Sequence, residues 1–387
     1  MKKKVADFFY KYFLGSPTLI VSSPGRVNLI GEHTDYNEGY VFPAAVSLRL
    51  TIASRVSPNC SAIVSQEFEE IVNFDTRDEK PPKGWAKYPW ACAQALQREW
   101  NISIPNIEAA IVSEIPRGAG LSSSAALETA SLFSWLKHIR KEIDLEELAR
   151  IAWLAETKFV GVNCGMMDQL VCSLGRKRHA LLIDTRSLDF SYHSLPPEIS
   201  ISIMDTRKPR QLASSAYNQR VAECKRAVEA LRKENPEIRS LRDATLELLE
   251  AAKQHGLDEI AFKRARHVIR ENERVLAFVK ALESKDFRAL NNLAKESHIS
   301  LKEDYEVSCP ELDAMAQAAW EAPGCVAARL TGAGFGGSCV GLVFTDSLRK
   351  FEQYVYDRYM SYGFQEPKIY SVEADDGVIC EVCDKEE

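Results

Sequence analysis

The segment PRGAGLSSSAALE, residues 116–128, joins a strand-like run to a helix-like run through two glycines and three serines. The strand-like run NIEAAIVSEI precedes it, and apolar residues at helical spacing follow over 124–138. Glycines let the backbone curl so that several N–H groups converge, and the start of a helix adds partial positive charge. The segment therefore predicts an anion-binding loop suited to phosphate. A tight turn in which a serine caps the helix is the alternative.

Other glycine motifs do not account for this loop. The sequence contains no G-x-x-x-x-G-K-[ST], so the loop is not the lysine-bearing P-loop, and it contains no G-x-S-x-G nucleophile turn. A second glycine-rich segment, TGAGFGGS at 331–338, includes G-x-G-x-x-G, but the strand-like SCVGLVF follows it where a dinucleotide-binding fold needs a helix. We interpret it as a loop between two strands that lets a phosphate or another backbone approach closely.

Two further segments concentrate ionisable side chains among apolar ones. PGRVNLIGEHTDYNEG, residues 24–39, carries Arg26, Glu32, His33 and Asp35 beside residues typical of a buried strand. In CGMMDQL, residues 164–170, a single aspartate follows two methionines. A carboxylate in such surroundings is either a satisfied structural acid or a functional group, and the residues alone leave both interpretations open.

The distribution of patterns predicts an α+β protein of two domains. Strand-like segments dominate residues 17–115, helical patterns dominate 214–321, and strands return near the end. A chain of 387 residues exceeds the usual size of one core. We expect an N-terminal, strand-rich domain over 1–190 and a C-terminal, helix-rich α+β domain over 191–387.

Composition narrows the classes of partner. The net charge of −6 disfavours nucleic acid or an anionic membrane as the main partner.

The N-terminal MKKKVADFFYKYFLG has helical spacing of apolar residues but no cleavage site, so we expect a packed amphipathic helix and no secretion signal. Ten scattered cysteines are typical of reduced thiols. We expect a cytoplasmic protein, a monomer or a weak oligomer.

Taken together, these segments resemble the galactokinase branch of the GHMP small-molecule kinases. The similarity includes GRVNLIGEHTDYN, GLSSSA, CGMMDQ, SSAYNQR, HVIRENERV, ESHISLKEDYEVSCPELD and TGAGFGG, in the order of the family. It therefore extends through most of the chain, and the first of these segments distinguishes galactokinases from their relatives. The resemblance implies the two-domain GHMP fold, with the active site in the cleft between the domains.

The resemblance also assigns roles to the residues of the sugar site. Asp168 matches the proposed catalytic base, and Arg26 matches the arginine that stabilises the transferring phosphoryl group. A neighbouring guanidinium weakens a carboxylate as a base whereas burial strengthens it, so Asp168 could instead orient the sugar hydroxyl. The residues implied to bind the sugar are Glu32, His33, Thr34, Asp35, Gly165 and Tyr217. For Tyr217, simple packing of the ring is the alternative.

The family resemblance also implies which residues bind the nucleotide. The residues implied to bind ATP are Gly118, Ala119, Gly120, Leu121, Ser122, Ser123 and Ser124 in the loop, with Ser65 and Trp85 near the adenosine. Ser124 and Glu156 are implied to hold Mg²⁺, which commonly uses one or two protein ligands together with phosphates and water. A solvated helix residue is the alternative for Glu156. Residues 296–301 and the loop at 331–337 are expected to form walls of the cleft.

The resemblance implies ATP-dependent phosphorylation of the C1 hydroxyl of α-D-galactose, giving galactose 1-phosphate and ADP, as the first step of galactose use. One alternative is a related kinase for N-acetylgalactosamine or arabinose. Another is a sensor that binds sugar and nucleotide without turnover. The intact serine run together with Asp168 and Arg26 disfavours the sensor.

Overall fold

The computed structural model describes residues 1–209 and 213–383. In these residues the helices are α1 (Lys2–Phe13), α2 (Lys87–Trp100), α3 (Ser123–His138), α4 (Leu145–Leu154), α5 (Met167–Leu174), α6 (Ala213–Glu234), α7 (Leu246–Gln254), α8 (Glu259–Glu283), α9 (Phe287–Glu303), α10 (Pro310–Glu321) and α11 (Leu348–Met360). The strands are β1 (Leu19–Asn28), β2 (Tyr40–Val41), β3 (Pro43–Ser57), β4 (Ser61–Ser65), β5 (Ile71–Phe74), β6 (Asn106–Ser113), β7 (His179–Asp184), β8 (Phe190–Ser194), β9 (Ile199–Asp205), β10 (Cys325–Thr331), β11 (Ser338–Phe344), β12 (Lys368–Val372) and β13 (Ile379–Cys383).

The first half of the chain is built around a six-stranded sheet in the order β13-β1-β3-β6-β4-β5. Successive residues of its strands point to opposite faces, so Ile20 packs with α1 whereas Val21 joins the main core with α2 and α3. Val5 and Phe9 of α1 are fully buried on the sheet, as expected for an amphipathic helix. Both faces of the sheet are therefore covered, and the phosphate loop emerges at the end of its central strand β6.

The second half contains a four-stranded antiparallel sheet in the order β10-β11-β9-β12. Helices α10 and α11 cover one face and share a core with Ala328 and Leu330. The opposite face, with Ile201 and Val340, joins the core of the first sheet. The α+β prediction is confirmed, and the two halves pack against each other through a continuous apolar layer.

Two features bear on the division of the chain. Strand β8, which pairs with β7, extends across the expected boundary at residue 190. Strand β13, at the end of the chain, pairs with β1 and so belongs to the first sheet. The segment 195–198 between β8 and β9 is where the chain passes from the small β2-β7-β8 sheet to the sheet of the second half.

The glycine-rich segment at 331–338 connects β10 to β11, which are antiparallel neighbours. This confirms the rejection of a dinucleotide-binding fold. Gly334 has φ of +78°, and a Cβ there would lie 2.3 Å from the carbonyl oxygen of Val307. The glycine therefore allows this loop to pack closely against the backbone at Val307, in the connection between α9 and α10.

Candidate active site

A cavity of about 520 Å³ lies where the two halves meet. It is lined by residues from the end of β1, the phosphate loop, the segment before α5, the start of α6 and the glycine loop after β10. The predicted site residues among them are Arg26, Glu32, His33, Asp35, Gly118, Gly120, Leu121, Ser122, Ser123, Ser124, Glu156, Gly165, Asp168 and Tyr217. The structure thus brings together side chains that lie as far apart in sequence as Arg26 and Tyr217.

The phosphate loop joins β6 to α3 as the sequence predicts. Ser122 has φ of +55° and occupies the N-cap position of α3, but its side chain makes no capping hydrogen bond. Its hydroxyl instead donates to the Asp168 carboxylate. The first N–H groups of α3 are therefore left for an external anion, which favours the phosphate loop over a serine-capped turn. A Cβ on Gly25 would lie 2.8 Å from the carbonyl oxygen of Leu121, so β1 lies tightly against the loop.

Asp168 and Arg26 form a bidentate ion pair at the floor of the cavity. Arg26 Nε and Nη2 donate to Asp168 Oδ1 and Oδ2 at 2.7 and 2.8 Å. Arg26 Nη1 also donates to the carbonyl oxygen of Gly120 at 2.6 Å. Burial lowers the pKa of Arg26, but Asp168 more than offsets this, so the pKa is raised overall. One guanidinium thus connects the carboxylate to the phosphate loop.

The segment GRVNLIGEHTDYN, residues 25–37, is called the sugar signature below, and its polar residues differ in their hydrogen bonds and burial. Glu32 lines the cavity, and burial raises the pKa of its carboxyl group while Arg329 opposes that rise. His33 hydrogen-bonds through both ring nitrogens, to Tyr36 Oη at 2.9 Å and to the carbonyl oxygen of Ala333 at 3.2 Å. Burial, with a smaller effect of His267, lowers the pKa of His33 to about 3, so the ring is neutral near pH 7.

Thr34 is placed differently from its neighbours. Its hydroxyl donates to the carbonyl oxygens of Gly31 and Tyr40, at 2.9 and 2.6 Å, and the side chain is fully buried. Among the described residues that line the cavity, Thr34 is not included. The structure therefore places it as a link between the two ends of the sugar-signature loop.

Asp35, Gly165 and Tyr217 form one wall of the cavity. Burial and the neighbouring Asp168 raise the pKa of Asp35 to about 6. A Cβ on Gly165 would lie 2.4 Å from Asp35 Oδ2, so the glycine lets this carboxylate pack against the 161–166 segment. The Tyr217 ring contacts Tyr36 edge-on, with centroids 5.1 Å apart. Tyr217 therefore both lines the cavity and packs against another ring, and its contact with a sugar stays a prediction.

Glu156 and Ser124 lie together at the phosphate end. Ser124 and Glu156 both line the cavity, and Glu156 Oε2 accepts from Gln169 Nε2 at 2.6 Å. Burial and Asp168 raise the pKa of Glu156. The residue lies in a π-helical turn, Ala155–Val160, of the kind often found at functional sites. Because it is buried and hydrogen-bonded, Glu156 is not a solvated helix residue.

The expected adenosine contacts lie beside the loop and outside the lining of the cavity. Trp85 stacks on Phe68, with centroids 5.8 Å apart and planes within 5°. The guanidinium of Arg117, next to the phosphate loop, lies 4.9 Å from the Phe68 centroid. Ser65 ends strand β4, three residues before Phe68. In the phosphate loop, Ala119 is also fully buried rather than cavity-lining.

Sequence reasoning was wrong about one wall and missed part of another. Residues 296–301 of α9 do not line the cavity, because Ser297 bonds to Glu271 and His298 accepts from the Leu330 N–H behind the second sheet. The expected wall at 331–337 is confirmed, because Gly332 and Ala333 line the cavity. The lining residues that were missed are Pro116, Gly161, Val162, Asn163, Cys164, Met167 and Asn218. Most of these adjoin a recognised motif, which was the available signal.

Three family descriptions match the chain. The galactokinase galactose-binding signature matches residues 7–56, the N-terminal domain of GHMP kinases matches 87–176, and their C-terminal domain matches 278–359. A galactokinase from Roseiflexus sp. strain RS-1 is 43% identical over 380 residues, covering 97% of this chain and 96% of that protein. The chain belongs to the galactokinase family. A galactokinase from Bos taurus is 40% identical, with 92% of this chain and 91% of that protein covered.

Solved structures agree with membership of the galactokinase family. The structure of Lactococcus lactis galactokinase complexed with galactose superposes with a TM-score of 0.92 at 32% identity, covering 98% of this chain and 99% of that one. The mevalonate kinase of Methanococcus jannaschii, at 18% identity and a TM-score of 0.66, shares the fold. Across residues 1–209 and 213–383, the helices lack the length and apolar character needed to cross a membrane.

Proposed function

We propose that this chain transfers the γ-phosphoryl group of ATP to the C1 hydroxyl of α-D-galactose. The observation that carries the proposal is the convergence, in one cavity, of the galactose signature and a serine-rich phosphate loop on the Arg26–Asp168 pair. A phosphoryl-transfer site needs positioning and charge stabilisation more than covalent chemistry. The paired residues join the place where a sugar would bind to the loop that would hold the phosphates.

The hydrogen bonds of Asp168 indicate how it would act. A carboxylate has about four acceptor positions, and three are used, by Arg26 Nε, Arg26 Nη2 and the Ser122 hydroxyl. One position on Oδ1 is left to accept a hydrogen bond from the C1 hydroxyl. Since three donors stabilise the negative charge, we infer that Asp168 mainly orients the attacking oxygen and takes up its proton late.

The residues at the phosphate end fit a Mg²⁺ ion. Ser124 and Glu156 line the cavity and would supply two oxygen ligands, and Mg²⁺ in kinases commonly takes its remaining ligands from phosphates and water. In the described residues there is no cluster of three or more His, Cys, Asp or Glu side chains that could hold the ion alone. When bound there, the ion would neutralise phosphate charge. Gln169 would keep the Glu156 carboxylate in place.

We expect the double variant Ser124→Ala, Glu156→Gln to need at least tenfold more Mg²⁺ for half-maximal rate, because both oxygen ligands are weakened or removed. Titration of Mg²⁺ in a coupled ADP-release assay measures this. Galactose affinity measured without nucleotide is expected to change little. The matched control is Ser134→Ala, which removes a buried hydroxyl from the same helix outside the cavity. An unchanged Mg²⁺ requirement in the double variant would place the ion elsewhere.

The main test of the proposed function compares sugars under saturating ATP and Mg²⁺. Galactose is expected to exceed glucose by about tenfold to a hundredfold in kcat/KM for each hydrogen bond that glucose cannot form, since reversing the C4 hydroxyl leaves a buried polar group unpaired at about 1–3 kcal/mol. Tyr217→Phe should reduce this preference if the phenol contacts the C4 hydroxyl. Equal rates on the two sugars would overturn the assignment to galactose.

Extending this comparison to N-acetylgalactosamine and arabinose, together with binding measurements, decides between galactokinase, a kinase for another sugar and a sensor. A preference for N-acetylgalactosamine or arabinose would keep the mechanism and change the substrate, and binding of both ligands without ADP release would identify a sensor. The ion pair of Asp168 and Arg26 favours the enzyme. We further propose that the protein acts in the cytoplasm as a monomer or weak oligomer, without nucleic-acid or membrane partners. We also propose two domains that meet at 195–198, between β8 and β9, rather than at residue 190.

A further inference from the structure

Glu32 of the sugar signature is fixed in place by the C-terminal half of the chain. Its Oε1 accepts hydrogen bonds from the Gly332 N–H at 2.9 Å and the Thr331 hydroxyl at 3.2 Å. Its Oε2 forms an ion pair with Arg329 of β10. Its backbone carbonyl hydrogen-bonds to His267 Nε2 of α8 at 3.1 Å. The position of this carboxylate therefore depends on strand β10, the glycine loop and helix α8.

A second carboxylate, Glu271 of α8, lies on the other side of the same guanidinium. Arg329 Nη2 lies 3.9 Å from Glu271 Oε1, which also accepts from the Gly31 N–H at 3.1 Å. Arg274 Nε donates to Glu271 Oε2 at 2.6 Å. Relative exposures are 3% for Glu32, 0% for Glu271 and 1% for Arg329. Two buried carboxylates therefore share one buried guanidinium immediately behind the sugar-signature loop.

We propose that Arg329 is a positioning residue for the sugar site: it holds the Glu32 carboxylate ionised and fixed in place in the wall of the cavity, and Glu271 competes for its charge. The inference rests on the proposed role of Glu32 in binding galactose. An ionised Glu32 can only accept hydrogen bonds, whereas the protonated acid replaces one acceptor position by a donor. Galactose affinity then depends on a side chain that itself does not line the described cavity.

The groups around Glu32 determine whether each substitution raises or lowers the pKa of its carboxyl group. Burial raises the pKa of Glu32, Arg329 opposes the rise, and Glu271 adds to it. Loss of the Arg329 charge should therefore raise this pKa further, and loss of the Glu271 charge should lower it. Because galactose binds the ionised form, affinity rises with pH through the pKa of Glu32. The inflection should move to higher pH in Arg329→Met and to lower pH in Glu271→Gln.

The other charged or titratable groups around Glu32 do not produce this pattern. Arg26 stays charged throughout, since its pKa is raised. Burial lowers the pKa of His33 to about 3 and that of His267 to about 4, so both rings are neutral above pH 6. Asp35, whose pKa is raised to about 6 by burial and Asp168, adds an inflection that wild type and variants have in common. A shift between proteins therefore reports Glu32.

The experiment measures galactose affinity by calorimetry from pH 5.5 to 9 in the presence of ADP. Arg329→Met is expected to weaken binding about tenfold on the acid side of the wild-type inflection, the factor that corresponds to a rise of one pKa unit. Glu271→Gln, whose amide oxygen can still accept from Gly31, is expected to bind as tightly as wild type or more tightly. The matched control is Arg264→Met, which removes another buried arginine of the C-terminal half, paired with Glu223 and Glu306. It should lower stability without moving the inflection.

Identical inflections in wild type, Arg329→Met and Glu271→Gln would overturn the proposal, as would a shift of equal size in Arg264→Met. If Arg329→Met does not fold, Arg329→Lys takes its place. It retains a charge without the planar fork, and a severalfold weaker affinity with a smaller upward shift is expected. Wild-type binding by Arg329→Lys, with no shift in Glu271→Gln, would also reject the proposal. If Glu32→Gln itself leaves galactose binding unchanged, the proposed role of Glu32 fails instead.

Discussion

Replacement of Asp168 by asparagine is expected to lower kcat by about 10²–10⁴-fold while galactose still binds. The carboxylate accepts from Arg26 and Ser122 and keeps one position for the attacking hydroxyl. An asparagine must turn its NH₂ group toward one of these donors, so the arrangement of the site is disrupted and the negative charge is removed. Steady-state ADP release gives kcat, and calorimetry with galactose gives the affinity.

The same substitution should also affect stability, since Arg26 would remain buried with an incomplete partner. Breaking a fully buried pair costs roughly 3–5 kcal/mol. Because the Asp168 side chain is 29% exposed, we expect Asp168→Asn to lower the free energy of unfolding by about 2–3 kcal/mol. Denaturant unfolding of the two proteins measures the difference.

Asp184→Asn is the matched control for the loss of rate. Asp184 forms a comparable bidentate pair with Arg242, with Oδ2 2.6 Å from Arg242 Nη2, and lies outside the cavity lining. Its side chain is 22% exposed. We expect a similar loss of stability with kcat close to wild type. If both variants lost kcat equally, or Asp168→Asn kept wild-type turnover, Asp168 would have only a structural role.

The sequence predicted the strand, loop and helix at 106–138 well because that part of the fold is built from local interactions. A strand, a glycine turn and a helix adjoin one another at 106–138, so the loop follows from backbone preferences over a few residues. The ion pair of Arg26 with Asp168 was expected only through the family resemblance. Its partners lie 142 positions apart, and no periodicity of the sequence indicates such a contact.

The parts that were missed depend on contacts between distant segments. Strand β8, FSYHS, has few apolar residues and is recognisable only from its pairing with β7. Strand β13 follows the last recognised motif and pairs with β1, which is distant in the sequence. The family resemblance implied a cleft wall at 296–301, but Ser297 of this segment donates to the buried Glu271. Buried polar groups resemble exposed ones in sequence, and only their partners distinguish them.

Arg26→Lys is expected to lower kcat/KM by about 10²–10³-fold, the range seen when a donor that stabilises transition-state charge is removed. Arg26 donates to both oxygens of Asp168 and to the carbonyl of Gly120, at 2.7, 2.8 and 2.6 Å. A lysine ammonium is a compact charge and cannot span these three acceptors from the position of a planar fork. The phosphate loop would lose its link to the catalytic carboxylate although the net charge is unchanged.

The retained charge makes this variant informative. If Arg26 only neutralised Asp168, lysine would preserve most of the rate, and the geometry of the fork would be irrelevant to transfer. Arg242→Lys makes the same exchange at the Asp184 pair, where Arg242 also donates to Tyr40 Oη, and it should leave kcat/KM near wild type. Initial-rate measurements over both substrates compare the two variants. A large loss confined to Arg26→Lys would mean that the guanidinium fixes the attacking oxygen relative to the phosphate loop, and near-wild-type kcat/KM would reduce Arg26 to a residue that supports the fold.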